Sequence, residues 1–97
     1  MSRLSLLDDF DVQQAFAAHL RSLRENEKMS REALAQRSNV PASTIKKFEL
    51  TGQISFRQLL LLWQSLDDLK RLYDLTQNSG KARNMPGSID EVLENEL

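Results

Sequence analysis

Apolar residues between positions 30 and 49 recur at the spacing of two short helices that cross at a steep angle and bury one shared seam. The apolar positions are Leu34, Val40, Ile45 and Phe48. Ser30 is placed to cap the first helix, and Asn39 tolerates the left-handed backbone of a tight turn. Pro41 has a φ angle that suits a first helical turn, so the second helix is predicted to begin at about Pro41.

The second helix turns a small, polar and basic face outward. A period of 3.6 residues directs Ile45 and Phe48 inward and leaves the opposite positions exposed. The exposed positions are Ala42, Ser43, Lys46 and Lys47, with no acid among them. Such a face is typical of a helix-turn-helix whose second helix enters the major groove of DNA. The alternative interpretation is an ordinary helical bundle with two lysines on a solvated face.

The same segment resembles the Cro/repressor-type (Xre) helix-turn-helix family, in which a capped "S/T-Q-x-x-L-A" and a turn ending in Val precede "S-T-I" and a closing Glu. The matching residues are Ser30, Leu34, Ala35, Val40, Ser43, Thr44, Ile45 and Glu49. The resemblance covers roughly residues 12 to 66 and implies an all-α fold, a compact five-helix lambda-repressor-like DNA-binding domain with a short C-terminal tail helix. Two positions depart from the family pattern, because Arg31 replaces a common Gln and Asn39 replaces the usual Gly. A base contact by that Gln is therefore not carried over.

The resemblance implies a set of DNA contacts. Its predicted members are Ser30, Arg31, Ala42, Ser43, Thr44, Lys46, Lys47, Thr51, Gln53 and Arg57. Ser43, Lys46 and Lys47 would reach base edges in the major groove, with Ala42 available for a thymine methyl group. Ser30, Arg31, Thr51, Gln53 and Arg57 would contact phosphates. The resemblance also implies an ion pair between Arg24 and Glu49 that fixes the angle of the reading helix.

Positive charge is concentrated at the predicted site. The chain carries 13 basic and 14 acidic residues, a net charge of −1, whereas nucleic-acid binders tend to be basic. Residues 29–57, however, hold five basic and two acidic residues, a charge of +3. Residues 1–28 and 58–79 each carry −1, and residues 80–97 carry −2. The acidic remainder would mainly suppress non-specific binding to DNA.

Supporting helices are predicted on both sides of the motif. Residues 12–27 carry an apolar stripe at helical spacing, which is formed by Val12, Phe16, Leu20 and Leu23. Ser55 and Gln58 form a capping box, and Ile54 can staple onto Leu59. Asp67 is predicted to cap a further helix, and no strand is expected. The predicted division is an N-terminal extension (1–11), a helix-turn-helix DNA-binding domain (12–77), and a linker with a short amphipathic helix (78–97).

The helix that follows Ser55 is apolar on more than one side. Its apolar residues are Leu59, Leu60, Leu62, Trp63 and Leu66. A small domain commonly hides a second apolar face in a twofold dimer, which would place two reading helices ~34–36 Å apart on an inverted-repeat operator. In the alternative, an N-terminal apolar cluster folds back and covers that face within one monomer. The cluster consists of Leu4, Leu6, Leu7 and Phe10.

The C-terminal end suggests a protein partner. Residues 78–87 form a polar segment interrupted by Gly and Pro, and Ser88 and Glu91 belong to a capping box that opens a short helix. Regulators with such a tail resemble HipB-type antitoxins encoded beside HipA-like kinases. This resemblance implies an autoregulatory repressor that also neutralises a HipA-like kinase toxin. The alternative is a helical protein-protein interaction module, toxin-neutralising or adaptor, that does not read DNA.

Catalysis and export are not expected. The chain lacks cysteine, and the lone His19 cannot assemble a histidine cluster, so neither a metal nor another cofactor is predicted. The paired aspartates at 8–9 and 67–68 are interpreted as helix starts, because adjacent carboxylates on a helix point about 100° apart. An enzyme is therefore the least favoured class. The apolar start is broken at once by acids, which argues against a signal peptide or a membrane span and favours the cytoplasm.

Overall fold

Five helices make up the computed structural model, which describes residues 6–84 and the side chains of residues 6–77. They are α1 (Asp9–Asn26), α2 (Arg31–Ser38), α3 (Ala42–Thr51), α4 (Phe56–Leu66) and α5 (Leu69–Asn84). The described residues contain no strand, and the predicted all-α class is confirmed. Helices α1 to α4 belong to one unit that ends at Asp67, and α5 belongs to a second.

Helix α1 begins at Asp9, three residues before the predicted start at Val12. Asp8 and Asp11 form a reciprocal capping box, in which the Asp11 N–H donates to the Asp8 carboxylate at 2.9 Å and the Asp8 N–H donates back at 3.3 Å. The prediction followed the apolar stripe, whereas the helix begins where its first N–H groups find acceptors. Val12 at the end of that stripe is exposed rather than part of the core.

The predicted serine caps are present. The Ser30 hydroxyl accepts a hydrogen bond from the Ala33 N–H at 3.0 Å, and the Ser55 hydroxyl accepts one from the Gln58 N–H at 3.1 Å. The capping box at α4 is one-sided, because the Gln58 side chain accepts from the Ser55 hydroxyl at 3.2 Å. Each cap fixes the start of a helix that carries part of the predicted site.

Left-handed residues end the two helices of the motif. Asn39 follows α2 with φ 63°, which confirms its predicted place in the turn. Pro41 occupies the N-cap position of α3, so this helix begins one residue after the predicted start. Gly52 ends α3 with φ 80°, and a Cβ there would lie 2.9 Å from Gln14 Nε2. A glycine is therefore required at this turn on two grounds.

The core of the first unit lies where the four helices meet. α3 packs against α1 and α2, and α4 packs against the same two helices. The four apolar residues predicted for the seam of the motif are all buried, which confirms that part of the prediction. The other buried apolar residues are Ala17, Leu20, Leu62, Trp63 and Leu66.

Helix α5 differs from the prediction at both ends. Asp67 ends α4, and it is Asp68 that accepts a hydrogen bond from an N–H of the next helix, that of Lys70, at 2.9 Å. The helical backbone continues to Asn84, past residue 78, where the predicted linker begins. A single glycine costs a helix only about 1 kcal/mol, so Gly80 does not prevent the helix from continuing. The predicted tail helix at 88–97 lies outside the described residues.

Candidate nucleic-acid interface

Helix α3 presents the predicted reading face to solvent. Ser43, Lys46 and Lys47 are exposed, and Ala42 and Thr44 are half-buried. The opposite side of the same helix is held by Ile45 and Phe48 in the core. This division follows from the 3.6-residue period, because residues three apart point in nearly the same direction.

The cations of this surface are not neutralised by neighbouring acids. Among the side chains that the structure describes, Lys46, Lys47 and Arg57 take part in no ion pair or hydrogen bond. By contrast, Arg21 pairs with Glu25. Unpaired cations on an exposed face create a positive potential that attracts phosphate. Part of the local charge predicted from sequence, that of Lys46, Lys47 and Arg57, is therefore unpaired, whereas Arg31 and Arg37 pair with Glu49 and Glu27.

A cleft of about 490 Å³ separates the outer face of α3 from the start of α4. It is lined by Ser43, Thr44, Lys47, Gln53, Ile54, Ser55 and Gln58. The structure thus brings four predicted site residues together, three from α3 and Gln53 from the turn before α4. Hydroxyl, amide and ammonium groups converge here, and these are the groups that bind base edges and phosphates.

Thr51 already uses its hydroxyl within the protein. The hydroxyl donates to the Lys47 carbonyl at 2.6 Å and accepts from the Gln53 N–H at 3.1 Å. Gln14 donates to the Thr51 carbonyl at 2.7 Å, which ties the end of α3 to α1. A hydroxyl has one proton to donate, so a phosphate contact by Thr51 would displace its bond to the helix. Its position shapes the turn that carries Gln53.

Glu49 near the end of α3 is bound by two arginines. Arg24 Nε and Nη2 donate to its two oxygens at 2.7 and 3.1 Å, which confirms the implied ion pair. Arg24 Nη1 also donates to the Met29 carbonyl at 2.7 Å. Arg31 Nε donates to Glu49 Oε1 at 2.8 Å, a contact that sequence reasoning missed. The three charged residues come from α1, α2 and α3 and together fix the direction of α3.

The network is buried, and its members shift each other's titration. The Glu49 side chain is only 3% exposed. Burial by itself would raise the pKa of Glu49, but hydrogen bonds from Arg24 and Arg31 outweigh it and leave that pKa below its usual value. The hydrogen bond to Glu49 likewise raises the pKa of Arg24. Glu49 and Arg24 are therefore both charged at neutral pH.

His19 lies away from the α3 surface. Its ring packs against Trp63 with a centroid distance of 5.4 Å, and its Nε2 lies 3.9 Å from Asp67 Oδ2. Within the described residues, no group of three His, Cys, Asp or Glu side chains could hold a metal ion. None of the described helices is long and apolar enough to cross a membrane.

Two helices joined at a left-handed residue, with an exposed basic face on the second, define a helix-turn-helix, the class of DNA-binding regulators. A family model described as a helix-turn-helix domain matches residues 15–83. The chain belongs to this helix-turn-helix family. No curated protein and no solved structure matches the chain.

Proposed function

We propose that the protein is a sequence-specific transcriptional repressor that binds an inverted-repeat operator as a dimer and regulates its own promoter in the cytoplasm, without enzymatic activity. The observation that carries the proposal is the exposed face of α3. Lys46 and Lys47 stand there without acidic partners, beside Ser43 and the adjoining cleft. A basic face without acidic partners, on a helix whose direction is fixed by a three-residue ion network, supports a reading role for α3.

In this proposal the contacts divide between reading and positioning. Ser43, Lys46 and Lys47 contact base edges, and Ala42 and Thr44 lie close to the groove floor or wall. Gln53 and Arg57, at the turn and at the start of α4, contact the backbone and set the register of α3. Because the whole chain carries −1, non-specific attraction is weak and binding depends on the correct site.

A charge-matched pair of variants tests the proposal. The first is Lys46→Ala with Lys47→Ala, and the control is Lys70→Ala with Arg71→Ala, which removes an equally spaced pair of cations from the exposed surface of α5. Fluorescence anisotropy would measure binding to the protein's own promoter region at several salt concentrations, with random duplex as competitor. We expect the α3 variant to lose selective binding and to show a shallower salt dependence, because two cations are removed from the surface that faces the DNA. The control should bind as the unmodified protein does.

Equal binding of promoter and random duplex by the unmodified protein would contradict the repressor proposal. It would favour the alternative, a protein-protein interaction module with no DNA readout. Equal losses in the two variants would show attraction through total charge and no role for α3.

A dimer is proposed because apolar surface remains on the described part of the first unit. Phe56 at the start of α4 is 73% exposed, and Leu59, Leu60 and Leu61 are only half-buried. Leu6 and Phe10 are themselves exposed, so these members of the N-terminal cluster do not cover that surface. Sedimentation analysis with duplexes of one and two half-sites should give one dimer per inverted repeat. A monomer that binds single half-sites independently would refute this part.

The toxin-neutralising role rests on the resemblance to HipB-type antitoxins, and its predicted tail helix lies outside the described residues. We propose a HipA-like kinase encoded beside the gene as the protein partner. Copurification of the full chain with that kinase, and loss of copurification after truncation at residue 87, would be expected. The Lys46→Ala, Lys47→Ala variant should copurify normally, because the substitutions lie outside the segment that we propose to bind the kinase.

A further inference from the structure

The carboxylate of Glu49 is shared by two arginine side chains. It accepts hydrogen bonds from Arg24 and Arg31, so two guanidinium groups share this carboxylate, and the exposed Glu25 lies 3.9 Å from Arg24 Nη2. Arg24 is enclosed, with 9% of its side chain exposed and all three guanidinium nitrogens bonded. Arg31 is 27% exposed. Of the two arginines bound to Glu49, Arg31 is therefore the one that reaches solvent.

Arg31 is bound to Glu49 through one nitrogen only. Its Nε donates to Glu49 at 2.8 Å, and within the described residues its two terminal nitrogens have no protein acceptor. A guanidinium is planar, so a bond at Nε restricts the direction of the remaining N–H groups. The neighbouring Ser30 hydroxyl accepts from Ala33 and keeps its own proton for another acceptor. The terminal N–H groups of Arg31, whose direction is restricted, and the Ser30 hydroxyl are thus available as donors at the start of α2.

We propose that Glu49 is a positioning residue for DNA binding, which holds the Arg31 guanidinium so that its terminal nitrogens grip a backbone phosphate. The inference rests on the proposed function, and it assigns to Glu49 a role in affinity beyond its role in fixing α3. Arginine suits this arrangement because Nε serves the carboxylate while the other nitrogens serve the phosphate. Lysine lacks the planar fork of N–H donors and glutamine has no charge, so neither residue reproduces the bond to Glu49 together with a directed grip on phosphate.

A double-mutant cycle separates positioning from a merely structural role. The variants are Glu49→Gln, Arg31→Gln and the two combined, each confirmed as folded by circular dichroism at the assay temperature. We expect Glu49→Gln to weaken operator binding at least threefold more when Arg31 is present than in the Arg31→Gln background. Arg31→Gln should lower the salt slope by about 0.9, the loss of one phosphate contact. Equal effects of Glu49→Gln in both backgrounds would overturn the inference.

Arg31→Lys provides a test that leaves the Arg24–Glu49 pair in place. It keeps the positive charge, and we expect at least a threefold loss of operator affinity because an ammonium lacks the planar fork that bonds Glu49 and directs further donors to a phosphate. Affinity equal to that of the unmodified protein would overturn the positioning role. If Lys46→Ala with Lys47→Ala abolishes binding while all Arg31 variants bind normally, only this inference fails. Absence of operator binding by the unmodified protein would overturn both proposals.

Discussion

Replacing Arg24 by alanine removes the buried centre of the network that joins α1 to α3. Arg24 makes three hydrogen bonds, two to the Glu49 carboxylate and one to the Met29 carbonyl. Breaking a buried ion pair by removing one partner costs about 3–5 kcal/mol, chiefly because the other charge is left buried and unpaired. Arg31 remains 2.8 Å from Glu49, so that charge is not isolated. We therefore expect the lower end, about 3 kcal/mol.

The assay is urea and thermal unfolding followed by circular dichroism at pH 7. For a domain of this size, about 3 kcal/mol corresponds to a fall in Tm of roughly 12–24 °C. The matched control is Arg21→Ala on the same helix, because Arg21 pairs with Glu25 at 3.1 Å on a surface where it is 43% exposed. An exposed pair four residues apart contributes about 0.3–0.5 kcal/mol. A loss below about 1 kcal/mol for Arg24→Ala, close to the control, would refute the reasoning.

Three further predictions concern single positions. Gly52→Ala should destabilise the protein by about 1–3 kcal/mol, because the new Cβ meets Gln14 at a residue with φ 80°; chemical denaturation checks this, and an unchanged midpoint would contradict it. Ser55→Ala should cost about 1 kcal/mol through loss of the α4 cap, measured in the same way, and stability equal to the parent would show that the cap is dispensable. The lowered pKa of Glu49 means that its stabilising contribution is complete above its ordinary pKa of 4.5 and is lost as pH falls through the lower folded value. Unfolding free energies from pH 7 to 3 should fall more steeply for the parent than for Glu49→Gln, and parallel curves would argue against this.

Rules that depend only on neighbouring residues were sufficient to predict most of the helix-turn-helix motif. The serine caps at residues 30 and 55 and the left-handed turn at Asn39 each depend on one or two neighbouring groups, and these are visible in the sequence. The start of α1 shows the limit of an apolar pattern, since the cap formed by Asp8 and Asp11 lies outside the stripe. The position of a helix boundary is set by the groups that accept hydrogen bonds from its first N–H groups, and only indirectly by the core.

The missed contact between Arg31 and Glu49 could not come from spacing alone. The two residues are 18 positions apart and lie on different helices, so their contact depends on how α2 crosses α3. The family pattern supplied one partner for Glu49, Arg24, and the substitution of Gln by Arg at position 31 supplied the other. The one available signal was the arginine at position 31, where the family commonly has a neutral glutamine.

The ion network of Arg24, Arg31 and Glu49 matters more for the direction of the α3 axis than for the net stability of the fold. A buried ion pair often contributes little more than apolar residues of the same volume would, because desolvation offsets the attraction. Glu49 stands in the second half of α3 and Ser43 in the first turn, six residues away, which at 1.5 Å per residue is about 9 Å along the axis. A tilt of about 10° around Glu49 would therefore move Ser43 by about 1.6 Å, more than the roughly 0.5 Å range of a hydrogen-bond length. Bidentate contacts at Glu49 limit that tilt, and so residues that never reach a base can decide whether Ser43 and the lysines do.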